Sequence, residues 1–151
     1  MDKLEVLKRS DLFRELADDQ LAVISEMATE QTFEPGAVIC KQGRIEEKMY
    51  VIEHGLVAIV LEVGQLAQRQ VQAAADFEGF GWSAVIEPHV CTATVIAREK
   101  TKALSFVGRD LCDLCDNQPL IGCKVCRAVA RTVASRLRQA YVQLLGVTAQ
   151  E

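Results

Sequence analysis

Histidine is scarce in this chain. His54 and His89 are the only two among 151 residues, and neither has a serine or cysteine partner at a spacing recognisable as a nucleophile–base set. Carboxylates are scattered over the chain, so no catalytic constellation emerges and an enzyme is not expected. Long apolar runs are missing too: none approaches a membrane span, and Met1-Asp2-Lys3 opens an amphipathic segment, not a basic-then-apolar leader. Basic excess is also absent. With 17 Lys and Arg against 21 Asp and Glu, the net charge is -4, which gives no global field for nucleic acid or an anionic membrane. These absences point to the cytoplasm, where the six cysteines stay mostly reduced and serve as thiols, metal ligands or packing.

What is present suits one folded domain. At 50% hydrophobic and 25% charged residues, a chain of 151 residues can bury a full core. Residues 2–30 read as helical, with Leu4 and Leu7, then Leu12, Phe13 and Leu16, at helical spacing. Ser10 is placed to cap a second short helix and Asp18 a third, whose inward face holds Leu21, Ile24 and Ala28.

From Thr32 the period becomes that of short strands between Gly and Pro turns. The predicted strands are Val38–Cys40, Met49–Ile52, Leu56–Val63, Arg69–Ala74, Thr92–Ala97 and Lys102–Phe106, with turns at Phe33–Gly36, Gln42-Gly43, His54-Gly55 and Gly79–Ala84. Seven or eight strands at this spacing argue a β-sandwich or jelly roll. The class is α+β, mainly β: a helical arm over 1–30, an eight-stranded jelly roll over 31–107 and C-terminal helices over 108–145, all one domain.

The C-terminal helices are Asp110–Asp116 and a long one opened by Pro119 and running to about Leu145. In the long helix Cys123, Cys126, Ala130, Val133, Leu137, Ala140 and Leu144 alternate spacings of three and four, a heptad seam beside a shoulder of Val125 and Val129. A helix packed only on its own barrel needs the shoulder alone, so the seam predicts a homodimer. Lys124, Arg127, Arg131, Arg136 and Arg138, with no acid between them, read as a solvated outer face, an acidic partner protein being the alternative.

One stretch organises the rest. Phe80-Gly81-Trp82-Ser83-Ala84 reads as a glycine turn running into one helical turn, and Cys91-Thr92-Ala93 leads into a β-branched strand. Such a turn presents unpaired N–H groups, here those of Trp82, Ser83 and Ala84, as an anion cradle to which the hydroxyls of Ser83 and Thr92 add.

The assembly resembles the cyclic-nucleotide-binding domain, the sensor module of catabolite activator proteins, cyclic-nucleotide-gated channels and kinase regulatory subunits. The carriers are Leu12-Phe13, Phe33-Glu34-Pro35-Gly36, Gln42-Gly43, Tyr50-Val51-Ile52 followed by Gly55, Phe80-Gly81, and Thr92-Ala93-Thr94-Val95-Ile96-Ala97. The resemblance implies a ligand of the cyclic nucleotide class or a related small molecule at the Phe80–Ala84 turn and Cys91–Ala93, with Thr132, Ser135 and Gln139 on the long helix as base contacts. It also implies a Glu directly after Phe-Gly for the ribose, and an Arg two residues before the strand's Ala for the phosphate. Trp82 and Cys91 stand in those places. A cyclic phosphate without its guanidinium loses a bidentate charge-assisted pair, about 2–5 kcal/mol when one partner is removed, and Trp82 accepts no hydrogen bond. His89 and Arg98 are the nearest cations in sequence.

Cys112-x2-Cys115-x7-Cys123-x2-Cys126 resembles two zinc half-sites carried on helices, with packing as the competing account. Four functions therefore stand open: a ligand-free dimer or docking module, a sensor of a non-standard ligand, a cysteine-based metal or redox sensor, and an ordinary cyclic AMP or cyclic GMP sensor. Six residues follow Leu145, too few for a helix-turn-helix, so DNA binding is not expected, and neither is membrane association.

Overall fold

The computed structural model describes residues 1–146. Helices α1 (Lys3–Arg9) and α2 (Asp18–Met27) precede eight strands, and α3 (Gly108–Asn117) and α4 (Pro119–Leu145) follow them. The strands are β1 (Thr29–Phe33), β2 (Val38–Cys40), β3 (Lys48–His54), β4 (Leu56–Val63), β5 (Ala67–Ala75), β6 (Gly79–Phe80), β7 (Thr94–Ala97) and β8 (Thr101–Val107). They form two four-stranded antiparallel sheets, ordered β1-β8-β3-β6 and β2-β7-β4-β5. This is the mainly β jelly roll with flanking helices that the strand pattern predicts. Among the described residues, no helix is long and apolar enough to cross a membrane.

Strand β3 shows how the two halves of the core divide. Met49 and Val51 join Leu7, Phe13, Ile24 and Phe106 beneath the helices, whereas Tyr50 and Ile52 join Val57, Phe80 and Val95 between the sheets. Both faces of β3 are covered over Met49–Ile52, and there its sequence is an unbroken apolar run. Two glycines bring the C-terminal helices close, Gly108 against the barrel and Gly122 of α4 against α3. A Cβ on Gly108 would lie 2.2 Å from the Ala84 carbonyl oxygen, and one on Gly122 would lie 2.5 Å from that of Cys115. Gly108 thus seats the start of α3 directly on the Trp82–Ala84 turn.

Four local expectations are corrected. Ser10 closes α1: its N–H and hydroxyl both donate to Leu7 O, and its Oγ accepts the Phe13 N–H at 3.0 Å. Residues 11–15 then make a turn that buries Leu12 and Phe13 but does not propagate as a helix. Asp18 is the first residue of α2, capped by Ala17, whose N–H donates to the Gln20 side chain at 2.9 Å. Asp18 pairs instead with Lys8 at 3.4 Å. The helical arm stops at Met27, and β1 already begins at Thr29, where pairing with β8 overrides the weak helical pattern of 29–31. The fourth concerns Arg136, which is not on a solvated face; it is 8% exposed. The other basic residues do face outward, but the fold supplies partners: Arg131 meets Glu15 at 2.7 Å and Lys124 donates to Gln20 at 3.1 Å.

Candidate functional site

The Gly79–Ala84 segment is built for close approach. Gly81 takes φ +84°, a conformation glycine adopts without strain, and a Cβ there would crowd the Lys48 carbonyl oxygen at 3.0 Å. Within the 3-10 turn Trp82–Ala84, the Ala84 N–H donates to Gly81 O at 3.1 Å, while Val85 and Ile86 both donate to Trp82 O. The predicted trio of free donors is therefore a pair, Trp82 and Ser83, whose amides have no partner inside the turn. His89 Nδ1–H donates to Ser83 O at 2.9 Å and holds the loop against the turn, so His89 is a brace for the backbone.

Opposite the turn, Cys91 is clamped by backbone. Its N–H donates to Arg44 O at 2.8 Å and its carbonyl accepts from Gly43 at 2.9 Å. Phe80, Gly81, Trp82, Ser83, Cys91, Thr92 and Ala93 line one cavity of about 120 Å³ together with Cys40, Glu46, Gln72 and Arg136. The sequence-predicted cluster is thus brought together, apart from Ala84, which is buried behind the turn. Tyr50, stacked on Phe80 at 4.9 Å and edge-on to Phe33 at 5.8 Å, supports the cavity from below. Burial, then the Glu46 carboxylate, hold its phenol well above the usual range.

Arg136 brings a cation to this cavity, where position 91 holds a cysteine. Its guanidinium lies 4.5 Å from the centroid of the Trp82 ring and donates to Gly79 O at 3.0 Å and to Gln72 Oε1 at 3.4 Å. Among the described residues no carboxylate lies within ion-pair distance of it; Asp11 and Glu78 act on it only from farther away. Burial lowers its pKa, yet a guanidinium keeps its proton in a protein. Helical spacing places Arg136 on the stripe of Ile121, Val125 and Ala128, the buried face of α4, and that spacing was the available signal. Charge type argues for the outer face, and packing overrides it.

The proposed base contacts lie elsewhere on α4. The Thr132 hydroxyl donates to Ala128 O at 2.9 Å in its own helix, while Ser135 and Gln139 line a separate groove with Val71 and Arg138. Of the helical cysteines, Cys112, Cys115 and Cys126 border an apolar groove of about 580 Å³ between α3, α4 and Val85-Ile86, and Cys123 is exposed. Burial pushes the Cys115 thiol up to about 11. Among the described residues these four do not converge as a ligand set; Cys40, Glu46 and Cys91 do.

The family described as the cyclic nucleotide-binding domain matches residues 30–118, more than half of the chain. The cGMP-dependent protein kinase of Eimeria tenella is 30% identical over 101 residues, 67% of this chain and 10% of the kinase. The cGMP-dependent protein kinase egl-4 of Caenorhabditis elegans is 23% identical over 96 residues, 63% of this chain and 12% of that protein. The chain thus spans about a tenth of these relatives. Among solved structures, a putative cyclic nucleotide-binding protein of Geobacter metallireducens superposes with a TM-score of 0.79 at 25% identity, over 91% of this chain and 99% of that one. A cyclic nucleotide-binding domain of Methylobacillus flagellatus reaches 0.83 at 17% identity, over 95% and 81%, which speaks for the fold alone.

Proposed function

Because the chain belongs to the cyclic nucleotide-binding domain family, we propose that it is a non-catalytic regulatory domain whose ligand pocket is refitted, so that cyclic AMP and cyclic GMP are not its effectors. The observation that carries this reading is the Arg136–Trp82 stack. The indole and the guanidinium occupy the mouth of the anion cradle and leave about 120 Å³, against roughly 300 Å³ or more for an ordinary small-molecule site. The two free amides and Arg136 still favour an anion, so a smaller or less extended anionic ligand fits better than a whole nucleotide.

Output passes through a second copy of the chain. The seam residues Val133, Leu137 and Leu144 are 38%, 51% and 84% exposed, an apolar stripe on α4 that pairing would cover. Trp82 is the only tryptophan, so its fluorescence reports on the pocket directly. Titration with cyclic AMP and cyclic GMP to millimolar, checked by calorimetry, is expected to show no saturable binding. Saturation in the micromolar range would overturn the proposal, since it would require Arg136 and Trp82 to withdraw readily.

A further inference from the structure

Three donor side chains meet at the edge of the pocket, on segments far apart in sequence. Cys40 ends β2, Glu46 lies in the loop before β3, and Cys91 lies in the loop before β7. Their Sγ and carboxylate oxygen atoms all lie within 4.8 Å of one another. Both thiols are 6% exposed. The backbone holds the three in place. Glu46 Oε1 accepts the Lys48 N–H at 3.0 Å, which turns Oε2 toward Cys91 Sγ at 3.6 Å. Gly43 and Arg44 pin Cys91 from both sides. Glu46 has no ion pair among the described residues, so a half-buried carboxylate faces two buried thiols without a cation.

We propose that Cys40, Cys91 and Glu46 form a three-ligand site for a thiophilic divalent cation of the zinc class, with a fourth position open to the pocket. Two sulfurs and one oxygen suit a borderline-soft ion, whereas magnesium and calcium require all-oxygen sets. Tetrahedral zinc, with sulfur at about 2.3 Å and oxygen at about 2.0–2.2 Å, needs donor separations of about 3.5–3.8 Å. The three donors have at most about an ångström to close. Access is present on both sides. The pocket with Arg136 and Trp82 lies on one, and a second cavity of about 500 Å³, bordered by Val38, Arg44 and Ile45, lies on the other.

A cysteine side chain carries its thiol proton at neutral pH. An entering ion therefore displaces two protons to solvent and forms two metal–thiolate bonds. The ion's positive charge compensates the two thiolates and the Glu46 carboxylate in this buried corner. Closing the site ties the end of β2 to the loops before β3 and β7, so occupancy by the ion would stiffen one wall of the pocket. The site does not depend on nucleotide binding, and a negative nucleotide titration leaves it standing.

The test uses the full chain, reduced and metal-free, titrated with cobalt(II) and then with zinc. A thiolate-to-cobalt charge-transfer band that zinc abolishes is expected. The band should vanish in Cys40→Ser and Cys91→Ser and persist when Cys112, Cys115, Cys123 and Cys126 are all changed to Ser. Glu46→Gln, at a half-exposed position, is expected to weaken cobalt binding at least about tenfold while keeping the native circular dichroism. It decides the matter even if the cysteine variants fail to fold. Absence of the band, its loss in the four-cysteine variant alone, or unchanged affinity in Glu46→Gln would each overturn the proposal.

Discussion

Replacing Gly108 by alanine tests whether the C-terminal helices rest on the Trp82–Ala84 turn. The new Cβ would lie 2.2 Å from the Ala84 carbonyl oxygen and 2.7 Å from its carbon, both backbone atoms that cannot rotate away. Relief requires α3 or the Trp82–Ala84 turn to move. Overpacking of this kind costs about 1–3 kcal/mol. The better helix propensity of alanine returns less than about 1 kcal/mol, because Gly108 is the first residue of α3. Each kcal/mol lowers Tm by about 2–4 °C in a domain near this size. A loss on the order of 5 °C is therefore expected in a thermal melt followed by circular dichroism. Because the displaced turn carries Trp82, its emission should shift in the folded protein before melting begins. A melt unchanged to about 1 °C together with an unchanged Trp82 spectrum would refute the direct contact, and with it the mechanical link from pocket to helices.

Three further outcomes follow from the same geometry. Trp82→Glu with Cys91→Arg restores the two side chains that the family resemblance expects; since a guanidinium–phosphate pair is worth about 2–5 kcal/mol, calorimetry should show cyclic nucleotide affinity rising at least tens-fold over the parent. No gain would mean that Arg136 alone closes the pocket. Asp11 accepts the Gly79 N–H at 3.1 Å, and burial raises its pKa above 3.8. Its carboxylate thus weakens the fold above its folded pKa and ceases to do so below 3.8. Urea melts of Asp11→Asn should show equal or greater stability at neutral pH, with any advantage vanishing as pH falls below 3.8; an advantage that grew on acidification would contradict the sign. Leu137→Glu places a charge on the exposed seam of α4, and sedimentation is expected to show a monomer that keeps the native circular dichroism in place of a dimer, with a lower melt because association no longer stabilises the folded state. A parent that sediments as a monomer would remove α4 as the pairing surface.

Much of the architecture is legible in local chemistry. Gly55 and Gly64 bound β4 at Leu56–Val63, and Pro119 and Gly146 bound α4 at Pro119–Leu145, because backbone conformation at these residues is a local property. The Gly79–Ala84 turn is legible for the same reason, down to the glycine at position 81. At Ser10 and Asp18 the residue type suits a cap, but the hydrogen bonds of Ser10 to Leu7 and Phe13 and of Ala17 to Gln20 set the helix ends instead. Residues 29–31 carry no strong pattern, and pairing with Ser105, Leu104 and Ala103 makes them a strand.

Strand periods, turn positions and the inward stripe of α4 were determined by the sequence itself, since each depends on neighbours a few residues away. Tertiary structure alone decided what fills the pocket and what lines its edge. Arg136 reaches Trp82 across 54 positions, and Cys40, Glu46 and Cys91 meet across 51. No periodicity encodes such meetings. They arise because two antiparallel sheets close over one core, and packing then holds a guanidinium where its residue type alone would not place it and brings two thiols and a carboxylate together from distant segments.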